Sequence, residues 1–166
     1  MSLVSFESLP DEARLWCFGA SQRLDDHQTR RLLASMADFV SEWTAHRHDL
    51  RAGFTLLHGR FLLVAVDESA AGASGCSIDA LMGQLRSLGT ALELDFLDSM
   101  PVWYRDPSGH IGTTSRAGFK DLGRMGKVSP GTPVFDLTLT RVADLRAGGL
   151  EAAAGDTWHR SLLTPG

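Results

Sequence analysis

The chain has 166 residues, 43% of them hydrophobic and 22% charged. That is the make-up of a folded protein rather than a disordered one, and the length favours one domain with room for an appended subdomain. The net charge of −4 argues against a dedicated nucleic-acid binder.

No membrane span is expected, because the longest apolar run, Phe61 to Val66, is far shorter than a bilayer crossing needs. The stretch from Met1 to Pro10 contains Glu7 and has neither a basic start nor an apolar stretch. No secretory leader is therefore expected, and a cytoplasmic location is the default. Cys17 and Cys76 are the two cysteines, too few for a disulfide framework or a cysteine-rich zinc site.

In chain order, Leu15-Trp16-Cys17-Phe18 predicts a strand that ends at Gly19. Leu32, Leu33, Met36, Phe39, Val40 and Trp43 step by one, three or four residues. That spacing lines one face of a helix from about Asp26 to Thr44. Phe54–Leu57 and Phe61–Val66 predict two strands joined by a tight turn at His58-Gly59-Arg60. Ser69 to Gly75 is loop, and Ile78, Leu81, Met82, Leu85 and Leu88 mark a second amphipathic helix ending near Gly89.

One more strand is needed, and the aromatic and β-branched Val102–Arg105 suits it better than Leu92–Phe96. The order is then β-α-β-β-α-β. This predicts an α+β protein with a ferredoxin-like core over residues 11–106, its antiparallel sheet carrying both helices on one face. Residues 107–163 alternate turns, short strands and short helices. They are expected to form a C-terminal β-rich subdomain that packs on the core and extends its sheet. Trp158, Leu162 and Leu163 would dock the tail.

Strand direction locates a candidate site. In the predicted topology the connection after the first helix and the connection before the second lie at the same end of the sheet. The first carries His46, Arg47, His48 and Asp49; the second carries Asp67, Glu68, Cys76 and Asp79. Cys76 opens the second helix, where free amides and the helix dipole favour a thiolate. An imidazole such as His46 could serve as its base, with Asp67 or Glu68 as orienter. Simple packing of the cysteine and dipole-driven placement of Asp79 are the competing accounts. The same set could ligate a metal, though H-x-H in a polar loop specifies none, and no cofactor motif is present. Asp121 to Val128 lacks the leading glycine and the hydroxyl residue of a phosphate loop.

The strings Trp43-Thr44-Ala45-His46, Val66-Asp67-Glu68 and Ser74-Gly75-Cys76-Ser77-Ile78-Asp79 resemble a small bacterial family whose members often carry the label ABC transporter ATPase. That label requires a phosphate loop, which this chain lacks. Val102-Trp103-Tyr104, Gly109 to Gly112, Phe119, Leu122, Gly126 and Ser129 to Phe135 are similar to the small GYF-type adaptor modules. This second resemblance implies binding of a proline-rich peptide through aromatics such as Trp103, Tyr104 and Phe135. Gly112-Thr113 stands where those modules carry Gly-Pro, and Phe135 where they carry Trp. Two functions remain in view: thiol or metal chemistry on a small molecule at His46, Asp67, Glu68, Cys76 and Asp79, or a non-catalytic peptide module.

Overall fold

The strand Phe61–Asp67 (β5) organises the molecule because it is buried on both faces: every side chain from Phe61 to Val66 is sequestered. A computed structural model describes residues 2–164. Leu62, Val64 and Val66 point into one hydrophobic cluster and Phe61, Leu63 and Ala65 into another, the period-2 alternation of a pleated strand. Each of these side chains other than Ala65 contributes about 1.5–3 kcal/mol on full burial. Arg14–Gly19 (β1) pairs antiparallel with β5 on one side and Arg51–Leu57 (β4) on the other, giving the order β1-β5-β4. His58 and Gly59, both left-handed with φ of 56° and 63°, turn the β4–β5 hairpin.

The two long helices cover one face of this sheet. Asp26–Ser41 (α1) starts at Asp25, whose carboxylate accepts from the Gln28 amide at 2.7 Å while the Gln28 side chain accepts from the Asp25 amide. It buries Leu32, Met36 and Val40. Gly75–Leu92 (α2) starts at Ser74, in a matching capping box with Ser77, and buries Leu81, Leu85 and Leu88. It runs through Gly89, the expected stop, to Leu92. A Cβ at Gly89 would lie 2.5 Å from the Leu94 carbonyl oxygen, so this glycine serves close packing rather than termination. After α1, Thr44–Ala45 (β2) and His48–Asp49 (β3) form a small hairpin. His46 and Arg47 turn it with φ of 50° and 66°, the left-handed pair that a two-residue hairpin turn demands.

The expected last core strand belongs elsewhere. Val102–Arg105 (β6) does not join β1. It lies inside a second sheet of order β7-β6-β8-β9, with Ile111–Thr114 (β7), Pro133–Phe135 (β8) and Glu151–Ala153 (β9). The reason is that β6 is apolar on both sides. Trp103 faces Phe61, while Val102 joins Phe119 and Val134 on the other side. The Trp103 indole N–H donates to the Ala20 carbonyl at 2.9 Å, which ties the second sheet across the face of the first.

The second sheet therefore stacks on the first, β6 goes with the C-terminal part rather than with residues 11–106, and that part adds to the first sheet only an isolated antiparallel bridge between Arg141 and Arg14. The free side of β1 is met by an irregular segment. The Leu15 amide donates to the Thr140 carbonyl and the Val142 amide to the Ala13 carbonyl. The first sheet thus has three strands, and the fourth strand of the expected ferredoxin-like sheet is not at its place beside β1. Val142–Arg146 (α4) follows that segment, and Arg116–Arg124 (α3) and Arg160–Leu163 (α5) cover the outer face of the second sheet. The result is an α+β molecule layered helices, sheet, sheet, helices.

Candidate functional site

Cys76 is exposed at the second position of α2. Its neighbourhood is fixed by Trp43, whose indole N–H donates to the Ser77 carbonyl at 2.9 Å. Trp43 itself packs on Phe39 and Trp16, at ring-centre distances of 5.4 and 6.2 Å. This clasp sets the β2–β3 hairpin beside the start of α2. His46 and Cys76 consequently line one shallow depression of about 440 Å³, together with Phe39, Trp43, Ser74 and Ser77.

The remaining members of the expected constellation lie elsewhere. Asp67 accepts from Arg51 Nη1 and from the Ser69 amide, each at 3.0 Å. Hydrogen bonds from Ser69, then Arg51, hold its carboxyl below the usual range. Glu68 accepts from the Ala73 amide at 2.9 Å and lies 3.9 Å from Arg141, so it shapes the loop before α2. Asp67 and Glu68 line a separate depression with Glu12 and Arg141. Asp79 is exposed on α2 and lines neither. Ser74 and Ser77 spend their hydroxyls on the capping box. Among the described residues no cluster of three or more His, Cys, Asp and Glu is placed to hold a metal. The depression thus offers a thiol and an imidazole, and the acid that lines it is Glu42 rather than the expected Asp67 or Glu68.

A different recess lies between the two sheets. It measures about 520 Å³, and Trp103 and Phe135 form its floor. Both are buried, whereas Tyr104, the third aromatic of the expected peptide surface, points to the opposite face and packs edge-on against Phe119 at 5.8 Å. Met82 of α2, Leu97 and Leu137 supply apolar walls. Gly19 makes the close approach possible, since a Cβ there would sit 2.7 Å from Trp103 and 2.8 Å from Leu137. Cys17 also lines the recess. Burial, then the charge of Asp136, pushes its thiol up to about 12, so it packs as a neutral group.

The rim carries the polar chemistry. The Arg116 guanidinium lies 4.8 Å from the centre of the Trp158 ring, a cation–π stack. His159 also stacks on Trp158, 3.9 Å away between ring centres. His159 is buried, its Nδ1 is 2.7 Å from the Thr157 hydroxyl, and burial lowers its pKa to about 4. At neutral pH the stack therefore holds one positive charge, on Arg116.

Asp98 stands on the same rim, with Oδ1 accepting from the Met100 amide at 3.0 Å. Asp98, Pro101 and Arg116 also border a second depression of about 500 Å³ along Thr113 to Ala117, which makes the two continuous. The residues of this groove that sequence reasoning missed are Arg116, Asp98, Met82 and Leu97. Only Trp158, an aromatic in a polar tail, offered a signal. No protein-family model, curated protein or solved structure matches this chain.

Proposed function

We propose that the protein is a non-catalytic interaction module that takes an extended peptide segment in the groove between its sheets. What carries this reading is the recess itself: an apolar floor of Trp103 and Phe135 with a stacked, charged rim at Arg116 and Trp158. Recognition sites combine an apolar interior with a few placed polar groups in this way. The groove continues past Arg116, which suits a chain segment better than a compact solute. Cytoplasmic residence and a core that is ferredoxin-like in its first five major elements are the settings we assign to it.

A peptide library titrated against the intrinsic Trp fluorescence tests the reading. Saturable binding is expected, and Leu137→Lys, which places a charge at the apolar wall, is expected to abolish it while leaving the far-UV spectrum intact. No saturable response from any peptide refutes the module.

A second reading rests on His46 and Cys76 sharing a depression: a thiol modified or used in chemistry with His46 as base. Alkylation of Cys76 by iodoacetamide discriminates. If His46→Gln leaves that rate unchanged, His46 does not activate the thiol.

A further inference from the structure

Among the described residues, the second sheet ends in a strand paired on one side only. β7 pairs with β6 on one side, and among the described residues no strand pairs with its other side. Exposed sheet edges are templates for an incoming chain unless they are blocked. Here the edge carries no lysine, proline or bulge in Ile111-Gly112-Thr113-Thr114. The strand also borders the second half of the groove, through Thr113 and Thr114.

Two arginines, Arg60 and Arg116, flank this edge although the protein as a whole carries −4, against Asp98 in the groove and Asp106 in the β6–β7 turn. Arg60 Nη1 donates to the Ser21 carbonyl at 3.2 Å and lies 3.5 Å from Thr113 Oγ1. The stem of Arg23 packs against the β4–β5 turn next to Arg60: a Cβ on Gly59 would meet Arg23 Cγ at 3.2 Å. The two guanidinium groups repel, and burial followed by the Arg23 charge lowers the Arg60 pKa. Arg116 follows the strand and stands over Trp158. Among the described residues, Arg23, Arg60 and Arg116 make no ion pair within 4.0 Å, as is true of most of the arginines. Asp98 is the acid that lines this groove, and one of its oxygens is engaged by the Met100 amide.

Resting on the reading of the groove as a peptide site, we infer that an acidic, extended segment of a partner protein adds to the open edge of β7, its carboxylates received by Arg60 and Arg116. Main-chain hydrogen bonds to β7 provide affinity without regard to sequence, and the flanking arginines select for acid. Apolar residues alternating with the acids would turn toward the inter-sheet recess, because neighbouring side chains on a strand point to opposite faces.

The test uses three hexapeptides, N-acetylated and C-amidated, alternating Val with Glu, Gln or Lys. Calorimetry reads affinity at about 0.05 M and about 0.5 M salt, and hydrogen exchange reads the amides of Ile111–Thr114. The Glu peptide is expected to bind, to slow exchange along β7 and to weaken with salt, while the Lys peptide does not bind. Arg116→Gln and Arg60→Gln are each expected to weaken the Glu peptide about two- to fivefold. Arg116 is exposed at the start of α3, so its replacement does not threaten folding.

If the Gln peptide binds as tightly as the Glu peptide, the acidic selectivity is wrong while the peptide module stands. If the Glu peptide binds but exchange at β7 is unaltered, strand addition is wrong. If none of the three binds while the peptide library yields a saturable binder, the acidic strand addition is wrong and the module stands; if the library also yields none, both readings fall. Displacement of the Glu peptide by a single-stranded oligothymidine at the same amides would assign the edge to a nucleic acid and overturn the inference.

Discussion

Trp103→Phe tests the clamp between the two sheets. The wild-type indole N–H donates to the Ala20 carbonyl at 2.9 Å, and both residues are buried. Phenylalanine keeps an aromatic ring against Phe61 but removes the donor, so the Ala20 carbonyl is stranded away from water at a cost of about 1–3 kcal/mol. The smaller ring also gives up buried area, worth about 1 kcal/mol more. The sum is about 2–4 kcal/mol. At about 2–4 °C per kcal/mol for a chain of this size, this corresponds to a fall in Tm of roughly 4–16 °C.

Urea unfolding followed by far-UV circular dichroism measures the loss. The midpoint should fall with little change in slope, since the surface exposed on unfolding is nearly unchanged. Trp158→Phe is the internal control: Trp158 is half-buried, and no hydrogen bond from its indole occurs among the described residues. It should cost clearly less. A loss at Trp103 below about 1 kcal/mol, or equal to that at Trp158, would refute the clamp.

Three further outcomes are expected. Ser74→Ala removes the acceptor for the Ser77 amide and breaks a capping box, which should lower stability by about 1 kcal/mol in chemical denaturation. In the native protein at mildly alkaline pH, iodoacetamide should label exposed Cys76 and spare Cys17, whose thiol is pushed up to about 12. Equal labelling of the two under native conditions, detected by peptide mass spectrometry, would contradict the burial of Cys17. His159 has a pKa near 4 when folded, against about 6.5 when unfolded. Its contribution is fully present above pH 6.5 and is lost as pH falls toward 4, by roughly 3 kcal/mol. His159→Gln should remove that slope from a stability–pH profile, and an unchanged slope would show that the imidazole is not held neutral.

The elements visible in the chain are those whose burial repeats with a single period. The short apolar run Phe61–Val66 reads as a strand, and the stripes Leu32–Val40 and Leu81–Leu88 read as helices with one covered face, whereas the cover on the second face of Phe61–Val66 was not foreseen. The neighbourhood of His46 and Cys76 follows from strand direction, since their two connections lie at one end of the β1-β5-β4 sheet. The allegiance of Val102–Arg105 was hidden for a physical reason. A short strand with apolar side chains on both faces satisfies either sheet, and the choice rests on the Trp103–Ala20 bond between residues remote in the chain. The β2–β3 hairpin was hidden because His46-Arg47 adopts the left-handed turn without a glycine or asparagine to advertise it. Asp67 and Glu68 seemed free to assist Cys76, yet their ties to Arg51, Ser69 and Ala73 depend on loop geometry that periodicity does not encode. The Arg116–Trp158 stack joins two surface positions with no shared pattern.

The double-sided burial of β5 has a bearing on how the polypeptide can be divided. Its Phe61, Leu63 and Ala65 side is roofed by Trp103, Phe135 and Val142, so a fragment ending before Val102 would leave a bare greasy wall in water. Such a fragment should be insoluble or self-associating, and synthesis of the whole chain must proceed well beyond its midpoint before that wall finds its cover.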